Sequence, residues 1–236
     1  MNERDLMSKN RPTTVEPQYS RCIEVQETYG LTRLGIMSNQ TWHDDPKRLG
    51  FLLARYKFVA KMFQGLKQVV EIGPADAFGT RVVQQHVVHV TVADFDPLFV
   101  SDIKARMNSE WKMDVLEHDI LKGPLKGIYD AAYTLDLLEH IEPEQEDLFI
   151  QNIRDSVVPN GVVIVGSPSI HSQPYASPPS CMGHVNCKDY DELKALLGKY
   201  FHNVFIFSMS DEVVHTGFSK MANYFIALAC TARRLL

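Results

Sequence analysis

The stretch Val69-Val70-Glu71-Ile72-Gly73-Pro74-Ala75-Asp76-Ala77-Phe78-Gly79 joins an apolar, β-branched run directly to a helix-like one. In an open α/β sheet, ligands collect outside the carboxyl ends of the strands where the strand order reverses, and the first strand borders that crevice. Small residues at 73, 75 and 77 let a ligand approach the backbone closely. The stretch therefore sets two expectations, a parallel sheet beginning here and a ligand site at its first turn.

Outward from this turn, apolar runs alternate with helical intervals. The strand-like runs are Gln68–Gly73, His89–Asp96, Met113–Asp119, Tyr129–Asp136, Gly161–Ser167 and Asn203–Met209, and Tyr224–Thr231 follows as a seventh. Between them, Phe78–His86, Pro97–Asn108, Pro143–Ser156 and Asp189–Tyr200 read as helices, and Ile120–Ile128 as a loop. Such alternation implies βαβ units. No crossover helix separates the last two runs, so they pair antiparallel. Leu49, Leu52, Leu53, Tyr56, Val59, Ala60 and Phe63 share one face of a helix over Arg48–Gln64 that needs a sheet to cover. Residues 1–47 are polar and irregular, so the chain divides into an N-terminal segment 1–47 and an α/β domain 48–236.

Composition narrows the function. With 236 residues, 45% hydrophobic and 22% charged, the chain suits one globular domain rather than a disordered polymer or two catalytic domains. The net charge of −5 supplies no global positive field for nucleic acid or anionic lipid. No run approaches the ~18 apolar residues of a membrane span. The opening Met1-Asn2-Glu3-Arg4-Asp5 lacks the apolar core of a secretory leader, which makes the cytoplasm the expected compartment. The four cysteines are too unevenly spaced for a disulfide scaffold and read as reduced thiols.

Two further acids support the ligand site. Asp94 ends the second strand about 20 residues after Gly73, where a carboxylate can accept hydrogen bonds from a ribose diol, and Asp119 ends the third. Strand-end acids also serve as helix caps or stay solvated, but acids at three successive strand ends line one crevice. A dinucleotide fingerprint fails, because Gly73, Ala75 and Phe78 occupy the glycine positions and Phe78 obstructs helix packing. A P-loop is excluded by the lack of Gly-Lys-Ser/Thr. Glu71 is poorly placed beside a pyrophosphate and suits a cationic group.

The order Glu71-Ile-Gly-Pro-Ala-Asp-Ala, Ala93-Asp94-Phe-Asp96, His118-Asp119-Ile120, Tyr129-Asp130-Ala-Ala-Tyr-Thr-Leu-Asp136-Leu-Leu-Glu139-His140-Ile and Pro159-Asn-Gly161 resembles a class I S-adenosylmethionine-dependent methyltransferase over about Arg48 to Thr231. Leu-Glu-His after strand four is similar to the branch acting on small molecules and sugars. The resemblance implies a Rossmann-like seven-stranded sheet of order 3-2-1-4-5-7-6, strand seven antiparallel, with helices on both faces. It also implies S-adenosylmethionine as cofactor. By it, Glu71, Gly73 and Ala75 hold the methionine part, Asp94 the ribose, Asp119 and Ile120 the adenine, while Leu135 and Asp136 border the sulfonium and the acceptor. The departure is alanine at 75 and 77, where the family usually has glycine at the first and often a small residue at the second.

Methyl transfer from a sulfonium asks the protein for alignment, water exclusion and, for a hydroxyl acceptor, a base. Of the nine histidines, His140, His184 and His215 come from regions where an acceptor binds and are the ranked bases. His140 also has a structural reading. The long proline-bearing segment Ser167–Lys188 reads as an acceptor loop. Within it Cys181, His184 and Cys187 are spaced like soft metal ligands for which His171 or His215 would have to supply the fourth, but the paired C-x₂-C motifs are missing, so no metal is assigned. Trp42 with Tyr29 reads either as the apolar wall of an N-terminal cap or, for Trp42, as a helix anchor. The expected partner is a small polar acceptor, such as a saccharide or other metabolite, methylated on O or N. There is no membrane partner and nucleic acid is disfavoured, while homo-oligomerisation stays open. The alternatives are a nucleic-acid or protein methyltransferase and a non-catalytic cofactor-binding scaffold subunit.

Overall fold

A computed structural model describes residues 13–233. The opening residues Met1–Asp5, read above for a leader, lie outside the described residues. The chain separates into two units, residues 1–34 and 35–236. In the first, a 3-10 turn at Pro17–Tyr19 leads into helix α1 (Ser20–Tyr29), which stops where Gly30 takes a left-handed φ of 73°. The second unit begins ahead of Arg48, because it includes α2 (Ile36–Asp44) before α3 (Arg48–Met62).

From there the chain alternates. β1 (Gln68–Ile72), α4 (Thr80–Gln84), β2 (His89–Asp94), α5 (Pro97–Arg106) and β3 (Asp114–Glu117) form the first half. β4 (Tyr129–Leu135), α6 (Glu146–Asp155), β5 (Val157–Pro168), α7 (Pro178–Gly183), α8 (Tyr190–Gly198), β6 (Phe201–Ser210), β7 (Val213–His215) and β8 (Tyr224–Ala232) form the second. The sheet has 8 strands in the order β3-β2-β1-β4-β5-β8-β6-β7. β1 to β5 are parallel, and β8 inserts antiparallel between β5 and β6, the expected order with one short strand added at the edge. That strand exists because Asp211 adopts a φ of 50°, which folds β6 back as a tight hairpin pairing Ser210 with Val213.

The strands alternate their apolar residues between two cores. Val70, Ile72, Ala132, Val163 and Val165 pack with α6 and α8 through Phe149, Ile150, Ile153, Leu193 and Leu197. Val69, Ala131, Tyr133 and Ile164 face the other way, onto Tyr56, Val59, Ala60 and Phe63 of α3 and Val83 of α4. The period-2 alternation of a sheet covered on both faces thus decides which side of the molecule each strand residue serves.

α2 is attached by a polar contact. Its first-turn Ser38 donates from the backbone N–H to Asp76 Oδ2 at 2.6 Å and from Oγ to Oδ1 at 3.1 Å, both groups being buried. Asp76 also accepts the Phe78 N–H at 3.1 Å, so one carboxylate caps a helix and fixes the turn after β1. Asp76→Ala leaves buried donors unpaired and is expected to cost about 2–3 kcal/mol. Urea titration reads the loss, and limited proteolysis should cut within α2 first.

Candidate functional site

A cavity of about 440 Å³ opens at the carboxyl ends of β1 to β4, a volume suited to a nucleoside-sized ligand. Gly73, Ala75, Asp94, Asp119, Ile120 and Asp136 of the expected set line it, with Met37, Phe95, His118, Leu137 and His140. The β1–α4 turn reaches this shape through left-handed backbone at Gly73, Ala75 and Ala77, with φ of 67°, 49° and 53°. Alanine tolerates that region at a cost of about 1–2 kcal/mol. The two alanine departures therefore hold a glycine-like conformation.

Asp94 fastens the turn to the end of β2. Its Oδ2 accepts the Ala75 N–H at 3.2 Å and its Oδ1 the Asp96 N–H at 2.9 Å. Burial pushes its pKa up, against the pull of these N–H donors. Each oxygen keeps a lone pair for a ligand hydroxyl. Asp119 caps the 3-10 turn Ile120–Lys122 through the Leu121 N–H at 3.0 Å, and Ile120 is buried beneath it.

Two of the expected residues do not line this cavity. Leu135 is turned into the core, 5% exposed, and Leu137 takes the wall position instead. Glu71 lies on the α3 side of β1, where the β1–β4 register sets it beside Tyr133. Its Oε1 accepts from Tyr56 Oη at 2.6 Å, and its Oε2 accepts from Tyr133 Oη at 2.6 Å and from Thr80 Oγ1. Burial raises Glu71 to about 7 despite these three donors. It also holds both tyrosines well above their ordinary value, with the Glu71 charge adding to the effect. Strand alternation was the signal that separates Glu71 from Ile72.

A second cavity of about 250 Å³ lies next to Arg55, Ser172, Gln173, His184, Asn223 and Tyr224. Arg55 Nη1 donates to both Asp136 oxygens, at 2.7 and 2.6 Å, and the guanidinium stacks 3.7 Å from the Tyr224 ring centroid. Burial alone would lower Arg55, but the charges of Asp136, Tyr224 and Glu139 together with the Asp136 hydrogen bond outweigh it and keep the guanidinium charged. Asp136 has a φ of 56°, so the chain leaves β4 sharply into the turn Leu138–His140. Because Arg55 and Asp136 line different cavities, their ion pair stands between the two.

Of the three ranked histidines, the structure brings two together. His140 and His184 meet edge to face with ring centroids 5.2 Å apart, and burial, followed by the His140 charge, lowers the His184 pKa. His215 sits on the edge strand β7, bonded to Ser210 Oγ at 3.2 Å, and lines neither cavity. Glu139 is 1% exposed and its pKa is raised, by burial and then by Asp136. The thiols differ from one another: Cys181 is exposed, whereas Cys187 is half-buried and pushed up to about 12 by burial and Glu139. Trp42 is 55% exposed on α2.

Residues 70–165 match the profile of a family described as "Methyltransferase domain". A search of curated proteins found no match. Among solved structures, the N-methyltransferase NodS from Bradyrhizobium japonicum WM9, in complex with S-adenosyl-L-homocysteine, is 20% identical. It aligns with a TM-score of 0.61 over 80% of this chain and 92% of that one. A DhpI-SAM-HEP complex is 14% identical with a TM-score of 0.61, over 94% of this chain and 100% of that one. The methyltransferase domain of bacterial CtHen1-C is 15% identical with a TM-score of 0.62, over 78% and 100%. The fold is the one these solved methyltransferases have, and the matched segment runs from β1 into β5 of it. No helix among the described residues is long and apolar enough to cross a membrane.

Gly73→Ala places a Cβ 2.6 Å from Leu137 Cδ2 at a φ of 67° and is expected to lose at least about 2 kcal/mol. Ala75→Gly relieves strain while loosening the unfolded chain, so its unfolding free energy from urea titration stays within about 0.5 kcal/mol of wild type. Glu71, raised from 4.5 to about 7, binds its proton more tightly folded than unfolded. Its favourable contribution is full below pH 4.5 and shrinks by about 3 kcal/mol as pH rises to about 7. Urea titrations between those limits should show this decline in wild type and lose it in Glu71→Gln.

Proposed function

We propose that the protein transfers a methyl group from S-adenosylmethionine to a small polar acceptor, a saccharide or other metabolite, in the cytoplasm. The carrying observation is the 440 Å³ cavity in which Asp94 and Asp119 meet the glycine-like turn at Gly73 and Ala75. When bound, the cofactor supplies an electrophilic methyl group on a sulfonium.

The chain's own residues bind and orient. Asp94 has lone pairs facing the position of a ribose diol, and Asp119 with Ile120 suits the adenine. Gly73 lets the backbone approach, since any side chain there would fill the cradle against Leu137. The Glu71 carboxylate is engaged by three hydroxyls, so it acts on the cofactor only through the turn it supports. Asp136, held by Arg55, borders the reacting end. Of the N-terminal segment 1–47 proposed as a cap, α2 carries Met37 into the cavity wall.

The acceptor enters from the second cavity, where Ser172, Gln173 and Asn223 offer hydrogen bonds to hydroxyls. The net charge of −5 favours this reading over a nucleic-acid acceptor. Isothermal titration with S-adenosylhomocysteine tests the cofactor assignment, and folded protein without binding overturns it. Asp94→Ala should weaken that binding by about 10- to 100-fold, the loss of one or two hydrogen bonds to a charged group. An unchanged affinity removes the ribose role.

A further inference from the structure

The turn after β4 and the end of α7 bring three ligand-type side chains together from distant points of the chain. One ligand atom each from Glu139, His140 and His184 lies within 4.8 Å of the other two. Each imidazole is oriented through Nδ1, His140 to Gly183 O at 2.8 Å and His184 to Gln173 Oε1 at 2.9 Å. An oxygen acceptor there places the proton on Nδ1 and leaves the Nε2 lone pair free, the arrangement that metal-binding histidines use. Among the described residues, Glu139 Oε2 receives a long bond of 3.3 Å from Ser167 Oγ, and Oε1 is buried with no hydrogen-bond partner. A buried carboxylate oxygen left unpaired is costly, and a cation removes that cost.

The backbone holds the three groups in place. Val185 and Asn186 both donate their N–H groups to the Glu139 carbonyl, at 2.8 and 3.0 Å, which fixes the segment carrying His184 against the turn carrying His140. Ligands about 2.1 Å from one ion stand roughly 3–4 Å apart, so shifts below about 1 Å close the set. The thiols of the same loop take no part, because Cys181 is exposed and Cys187 is held protonated.

We propose that Glu139, His140 and His184 form a binding site for a first-row divalent cation, placed between the cofactor cavity and the acceptor cavity. Two imidazoles and one carboxylate select zinc, manganese, iron or cobalt over magnesium and calcium, and leave coordination positions for water or substrate. His140 lines the first cavity and His184 the second, so those positions face the junction of the two. The role of the cation rests on the methyltransferase reading and names the acceptor class as one that presents a hydroxyl, a vicinal diol or a hydroxy acid. The bound hydroxyl gives its proton to a base from solvent. Its oxygen then forms the new bond to the methyl carbon, and the carbon–sulfur bond breaks with its electron pair remaining on sulfur.

Titration of chelator-treated full-length protein with Co²⁺ tests the site. Wild type should bind one equivalent with the visible absorption of nitrogen and oxygen ligation, and His184→Ala and His140→Ala should each weaken it at least tenfold. His184→Ala, at a residue outside the cofactor cavity, should keep S-adenosylhomocysteine affinity within about threefold, which also reports its folding. X-ray absorption of the cobalt-loaded wild type should show imidazole scattering, a readout independent of any variant. No cobalt binding by wild type that binds S-adenosylhomocysteine, or a bound ion without imidazole ligands, overturns the proposal. Cobalt binding without S-adenosylhomocysteine binding leaves the cation site standing and removes the methyltransferase role.

Discussion

The contact between Arg55 and Asp136 is the constraint around which the rest is arranged. It joins α3 to the end of β4, and the stacking of Arg55 on Tyr224 extends the join to β8, the strand that runs against its neighbours. A guanidinium so largely buried needs a charged partner, and removing one member of a buried pair typically costs about 3–5 kcal/mol, less here because both side chains keep partial solvent contact. The left-handed Asp136 is held in its unusual conformation by that partner. The turn Leu138–His140 takes its direction from this residue, and so both cavities inherit their shared wall from one ion pair.

Much of the architecture was legible because a sheet covered on both faces writes itself as short apolar runs. The antiparallel β8 followed from the missing helix between the last two long runs, and the strand order from the resemblance to class I methyltransferases. The added strand β7 was hidden because three residues carry no periodicity, and its hairpin depends on a left-handed Asp211 that composition does not announce. β5 begins at Val157 rather than at Gly161 because the pairing register slips between Tyr129 and Ala131, admitting a polar stretch to the ladder.

At the site, residues whose role follows from strand ends were readable: Gly73, Asp94, Asp119 and Asp136 all face the cavity. Glu71 was misplaced because its position in the motif was weighed without the face on which it stands. Leu135 and Leu137 exchanged places because the left-handed residue between them turns the chain. The His140–His184 contact joins residues far apart in sequence, and the two backbone hydrogen bonds to Glu139 that create it have no sequence signature.

Cys187 has a chemical meaning beyond packing. A thiol with a pKa near 12 presents a thiolate fraction of roughly 10⁻⁵ at neutral pH, and only the thiolate is a strong nucleophile. The Cys187 thiol of the Ser167–Lys188 segment is therefore kept silent toward electrophiles such as a sulfonium methyl group. Self-alkylation is suppressed by the same enclosure that surrounds Glu139, without removing sulfur from the chain.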